Sequence, residues 1–170
     1  MKAIISIEIE KTANELTQLI SSTNEEQFNK IPFEGSWSIA QVGDHLLKSY
    51  GAVEILNGPV TKTGRSPGEK IEMIKETFLN FDKKYQSDKS ILPKNRLVDK
   101  EILLSELKNR IAQIQEVIRT KDLSETCAGF ALPAFGEFTR LEWLSLILYH
   151  TQRHIHQIKN ILKPLEKKSK

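Results

Sequence analysis

The side chains best equipped for chemistry in this chain are histidines, and their spacing is informative. Only four occur in 170 residues: His45, His150, His154 and His156. His150 and His154 are four apart. On a helix turning about 100° per residue they lie roughly 40° apart and one turn along, on the same face. That face also carries Trp143, Ile147, Ile158 and Ile161, so both imidazoles point toward an apolar interior. His156 lies about 120° from His150 and about 200° from His154 by the same geometry, and reads as a surface residue. A pair at i, i+4 lets one helix offer two nitrogens to a metal. With His45 as a third donor, neutral imidazoles from two helices would leave coordination positions open, which is the catalytic rather than the structural arrangement. The alternative is a pair of core-edge histidines bonded to carbonyls or water, with His45 unrelated, since a buried imidazole needs some partner.

Thr151 follows His150, so the glutamate base of an HExxH metalloprotease is absent at that spacing. Gln41, one turn before His45, and Gln157, close to one turn after His154, are candidates to fix an imidazole tautomer. Gln41 has the competing role of closing a capping box, which suits it better. Arg153 flanks the histidine face, where it either holds an anionic substrate or is a solvated helix arginine. Trp37 either walls the pocket or staples a helix start. Phe130, Phe135 and Phe138 read as a lid on the bundle end. Cys127 reads as an inert thiol in a loop without a basic cluster.

Helix-start signals divide the chain into the elements that must position these groups. Ser38-Ile39-Ala40-Gln41, Ser66-Pro67-Gly68-Glu69 and Thr139-Arg140-Leu141-Glu142 each have capping-box form, and Asp99 can cap the helix after it. Helix one is predicted from about Ser6 to Ser22, with Ile9, Ala13, Leu16 and Ile20 on one face. Helix two follows Ser38 with the stripe Ile39, Val42, Leu46, Tyr50 and Val53. It stops at the breaker cluster Asn57-Gly58-Pro59. His45 lies on the flank of that stripe, in line with Gln41 and Ala52. A shorter helix follows Pro67 with Ile71, Ile74 and Phe78, and 87–94 reads as a connector. A long helix begins near Asp99, with Leu103, Leu107, Ile111, Ile114 and Ile118. A Gly-, Pro- and Phe-rich loop spans about Asp122 to Phe138. The last helix runs from Thr139 to about Leu162, before Pro164. Ile5-Ser6-Ile7-Glu8-Ile9 alternates like a strand, but nothing else offers it a partner. The expected fold is all-α: a four-helix bundle over residues 1–163, with the Pro67 helix as a short extra element in a crossover and 164–170 as a basic tail.

Hydrophobic residues make up 39% and charged residues 28%, and 25 basic against 22 acidic side chains leave a formal charge of +3. This is the composition of an ordinary globular domain. Part of the small basic excess sits in the tail from Lys163 to Lys170, so nucleic-acid binding has no footprint here. No apolar run approaches the roughly 20 residues that cross a bilayer. Glu8 interrupts the first apolar stretch too early for a signal peptide, and the single cysteine suits a reducing compartment. These features point to a cytoplasmic protein with no membrane partner.

Two segments carry a family resemblance. Gly35-Ser36-Trp37-Ser38-Ile39-Ala40-Gln41-Val42-Gly43-Asp44-His45-Leu46 resembles the Trp-Ser opening of helix two and the first metal histidine of the DinB/YfiT-like superfamily. The stretch from Phe135 to Trp143, continuing through His150-Thr151-Gln152-Arg153-His154 to Ile158, is similar to that family's last helix with its HxxxH pair. The resemblance implies an up-down-down-up bundle holding one divalent ion, zinc or nickel, through His45, His150 and His154. It also implies activities such as transfer of a low-molecular-weight thiol to an electrophilic small molecule. Metal-dependent hydrolysis with metal-bound water, and a non-catalytic metal-binding or stress-response bundle, stay open beside it. So does a homodimer, since an outer apolar stripe can face a twin chain.

Overall fold

The computed structural model describes residues 2–167. Four long helical segments form the bundle: α1 (Lys2–Ser22), α3 (Ile39–Ser49) continued by α4 (Val53–Asn57), α6 (Lys100–Thr120) and α7 (Arg140–Lys167). Short α2 (Glu25–Asn29) and α5 (Ile71–Leu79) complete the helices. A single 3-10 turn, Tyr50–Ala52, joins α3 to α4, and Gly51, a poor helix former, lies within it.

Side-chain contacts fix the directions. Ser6 bonds Gln115 and Lys100 bonds the Thr23 carbonyl, so α6 runs antiparallel to α1. Glu15 pairs with Lys159, and Glu8 lies near Tyr149, so α7 is parallel to α1. Gly43 abuts Leu103 and Glu54 pairs with Arg110, which makes α3–α4 parallel to α6. The order is up-down-down-up. Two consecutive parallel segments need a return path along the bundle, and residues 58–99 supply it. Within that crossover α5 climbs beside α7, with the Lys70 amide at Glu142 and Phe78 at His150.

The apolar stripes interlock where their spacing predicts. Leu16, Ile20, Ile39, Leu46, Leu56, Leu107, Ile114, Leu144 and Ile158 are fully enclosed, each contributing about 1.5–3 kcal/mol relative to exposure. The capping boxes at Ser38 and Thr139 form, and Asp99 accepts the Ile102 amide.

Several expectations are corrected. The Ser66 box does not form. Residues 66–70 make turns instead, and α5 starts at Ile71 with no local side-chain cap. Glu142, from α7, takes the Lys70 amide in its place. The Ile5–Ile9 stretch is helical, extending α1 to Lys2. Ile5 and Ile9, one turn apart, are buried while Ile7 is 61% exposed, so burial follows the helical period. The last helix continues through Pro164 to Lys167. Leu165 is buried in the core, which offsets the backbone bond that proline forfeits. The tail is therefore helical as far as it is described, and 168–170 lie outside the described residues.

The fold is also not strictly all-α. β1 (Val60–Thr61), β2 (Thr126–Leu132) and β3 (Gly136–Thr139) form an antiparallel sheet in that order, where a loop was expected. Pro133 and Ala134 turn the hairpin. The Phe135 amide bonds the Leu132 carbonyl, and Ala134 has φ +68°, the type II pattern with proline in first place.

Candidate metal centre

Three imidazoles from two antiparallel helices converge. His45 comes from the middle of α3, whose capping box sets the start of its first turn. His150 and His154 come from successive turns of α7. The His45 and His154 Nε2 atoms approach His150 Nε2 at 3.1 and 3.0 Å, and the three ligand atoms all lie within 4.8 Å of one another. Among the described residues the cluster contains no carboxylate or thiol. His45 and His154 are buried and His150 keeps partial solvent access.

The Nδ1 atoms determine what the Nε2 atoms present. His45 Nδ1 lies 2.8 Å from the Ile91 carbonyl, which can only accept, so the Nδ1 carries the proton. His154 Nδ1 donates to Gln157 Oε1 at 2.7 Å. Both neutral rings therefore turn an Nε2 lone pair inward. His150 Nε2 faces the two lone pairs together and has at most one proton to share between them. A cation at the common point resolves that conflict.

Charge points the same way. Burial lowers the His45 pKa, and Lys48 adds to the effect, against the Ile91 carbonyl and Asp44. Burial pushes His154 down to about 3, with help from His45 and Arg153 and against the Gln157 bond. Burial, then repulsion from His154, His45 and Arg153, holds His150 well below its ordinary range. All three are neutral at pH 7 and hold lone pairs fit for a divalent ion.

The surroundings sort the remaining candidates. Trp37 packs on the cluster, 5.2 Å from the His45 ring and stacked at 6.5 Å on His154. Phe78 of α5 meets His150 edge-on at 5.6 Å. Gln157 supplies the oxygen at His154 Nδ1. Gln41 closes the capping box with the Ser38 amide. Arg153 is half-buried, and its guanidinium is engaged by the chain itself. It donates to the Phe78, Asn80 and Lys83 carbonyls and lies over the Tyr85 ring, strapping the segment after α5 onto α7. His156 is exposed and stacks on Phe81 at 4.1 Å. Phe130, Phe135 and Phe138 belong to the hairpin near the start of α7. His150 lies 12 residues beyond Phe138, about 18 Å along a helix, so these rings cover the opposite end of the bundle. Cys127 is buried in β2, and burial raises its pKa. The Ile91 carbonyl and Phe78 were not foreseen. Both come from the crossover, and a backbone carbonyl leaves no sequence signal.

Residues 8–158 match the model of the DinB superfamily, and the chain belongs to that superfamily. Two solved structures share its fold. "TT2238, a four-helix bundle protein" is similar with TM-score 0.61 and 17% identity, covering 94% of this chain and 99% of its own. YfiT from Bacillus subtilis, described as "a probable metal-dependent hydrolase with an unusual four-helix bundle topology", matches with TM-score 0.61 and 16% identity, over 97% of this chain and 87% of its own. No curated protein matches the sequence. No described helix is long and apolar enough to cross a membrane.

Proposed function

We propose that the chain is a metal-dependent enzyme that holds one divalent ion, zinc or nickel, through the Nε2 atoms of His45, His150 and His154, and that it transfers a low-molecular-weight thiol to an electrophilic small molecule. The observation that carries this reading is the pair of inward lone pairs on His45 and His154, whose Nδ1 partners are already in place, converging on His150 Nε2. A divalent ion held there would supply Lewis acidity that lowers the pKa of a thiol or water bound to it.

The chain's own groups favour a thiol. Among the described residues no carboxylate joins the cluster to act as general base, and the nearby Asp44 is occupied by Lys48 and the Lys94 amide. The nucleophile must therefore lose its proton through the pKa shift alone. A thiol with pKa about 8.5 needs a shift of only one or two units, whereas water must fall from about 15.7. Trp37 and Phe78 wall the histidines with apolar surface, which excludes water and suits an uncharged electrophile.

Hydrolysis is the second reading, and the description of YfiT as a probable metal-dependent hydrolase favours it. Elemental analysis of the purified protein and of His150→Ala tests the centre, with about one equivalent of metal expected in the first and a large loss in the second. Turnover of an electrophile with and without added thiol then separates the reactions. Thiol-independent turnover would reject transfer.

A further inference from the structure

The crossover does more than return the chain. Its residues 91–94 are fastened to α3 by two side chains flanking His45. Lys48 Nζ donates to the Leu92 carbonyl at 2.6 Å and to Asp44 Oδ2 at 2.7 Å. The same Asp44 oxygen accepts the Lys94 amide at 3.1 Å. Between these anchors and the 3-10 turn Lys89–Ile91, whose start Asp88 caps through the Ser90 amide, the Ile91 carbonyl is aimed at His45 Nδ1 at 2.8 Å. Asp44 is 8% exposed, so its bonds to the crossover are shielded from competing water. All three residues share α3, one position before and three after the histidine, so the clamp and the ring it serves are built on one rigid element.

We propose that Asp44 and Lys48 are positioning residues, which hold the Ile91 carbonyl against His45 and so keep the His45 proton on Nδ1 and its Nε2 lone pair turned inward. Neither bonds a ring of the cluster; beside the opposed effects of their charges on His45, both act by holding the backbone of the crossover around Ile91. Without that carbonyl, the ring is free to carry its proton on Nε2, the tautomer that cannot ligate from this position. The consequence for metal affinity rests on the function proposed above, whereas the consequence for the tautomer does not.

The test uses the full chain. Ring nitrogen NMR of the metal-free protein reports which His45 nitrogen carries the proton, and competition with a chromophoric chelator gives the zinc affinity. Lys48→Met keeps the side chain's length and removes both bonds. It should shift His45 toward the Nε2–H tautomer and weaken zinc binding roughly 10–100-fold, the range for losing a partner of a ligating histidine. Lys48→Arg should restore both. Asp44→Asn, which retains an acceptor for the Lys94 amide, should give a smaller change of the same sign and serves if Lys48→Met does not fold. A wild type with its His45 proton on Nε2 overturns the positioning role. So does a folded variant that loses only thermal stability while the tautomer stays put. A wild type that binds no zinc, yet shows the tautomer shift on substitution, upholds the positioning role and rejects the metal reading instead.

Discussion

Replacing Glu142 with alanine should cost about 4 kcal/mol of stability, a figure that follows from what its carboxylate holds. The side chain is 0% exposed and Arg65, its partner, 24%. One oxygen takes the Arg65 Nη1 at 2.6 Å and the Lys70 amide at 2.9 Å. The other takes Nη2 at 2.7 Å and the Thr139 amide at 3.0 Å. Removing one partner of a buried ion pair costs about 3–5 kcal/mol. Each orphaned amide alone costs about 1–3 kcal/mol, a penalty that overlaps with the first because water can enter the vacated space. For a domain of this size, 1 kcal/mol moves Tm by about 2–4 °C, so a fall of roughly 8–16 °C is expected by calorimetry. The Glu142→Gln variant should lose about half as much, because it keeps the volume and one acceptor oxygen. Burial works to raise the Glu142 pKa. The Arg65 bond, the Thr139 and Lys70 amides and the Arg65 charge outweigh it, so the folded value lies below the ordinary 4.5. This contribution is fully present above pH 4.5 and disappears as pH falls through the folded value. A double-mutant cycle with Arg65→Met should show coupling of at least about 1 kcal/mol at pH 7 that fades as pH falls below 4.5. A loss under about 1 kcal/mol for Glu142→Ala, with no pH dependence in the coupling, would show that the joint between α5 and α7 does not depend on this carboxylate.

Three further outcomes are expected. The histidine cluster should make the metal-free protein acid-sensitive. With His154 held at about 3 against an ordinary 6.5, its contribution is intact above pH 6.5 and declines as pH drops from there toward 3. Urea midpoints of wild type and His154→Gln that ran parallel across that window would contradict this. Tyr50, buried against Thr151 with its pKa pushed up to about 12 by burial, should contribute stability that is whole below pH 10 and declines from pH 10 to 12. Tyr50→Phe should cost about 1 kcal/mol at neutral pH and flatten the alkaline limb of the stability curve. Ala134, at φ +68° in the hairpin turn, is strained by its Cβ, so Ala134→Gly should raise stability by about 1 kcal/mol, and a lower unfolding midpoint would disprove that strain.

The secondary elements and part of the site were legible in the residues because the forces that build them are local. The capping boxes at Ser38 and Thr139, the Asp99 cap and the apolar stripes of α3, α6 and α7 act within a turn or two, and the structure realises each one. The pairing of His150 with His154 is equally local, being a property of any α-helix. The hairpin escaped because Gly129, Pro133, Ala134 and Gly136 give its strands the composition of a loop, and its third strand, Val60–Thr61, lies more than sixty residues away. The Ser66 box failed because a carboxylate from α7 took over the start of α5. The bonds of Arg153 left no signal in the sequence because its acceptors are backbone carbonyls at the end of α5 and just after it, which only the folded crossover brings there. The chain alone determined that two imidazoles share a face and that helices would carry them. Only tertiary structure decided that His45 meets them across 105 residues of sequence and that Ile91 sets its tautomer, because convergence of distant groups depends on how helices pack rather than on how any one of them begins.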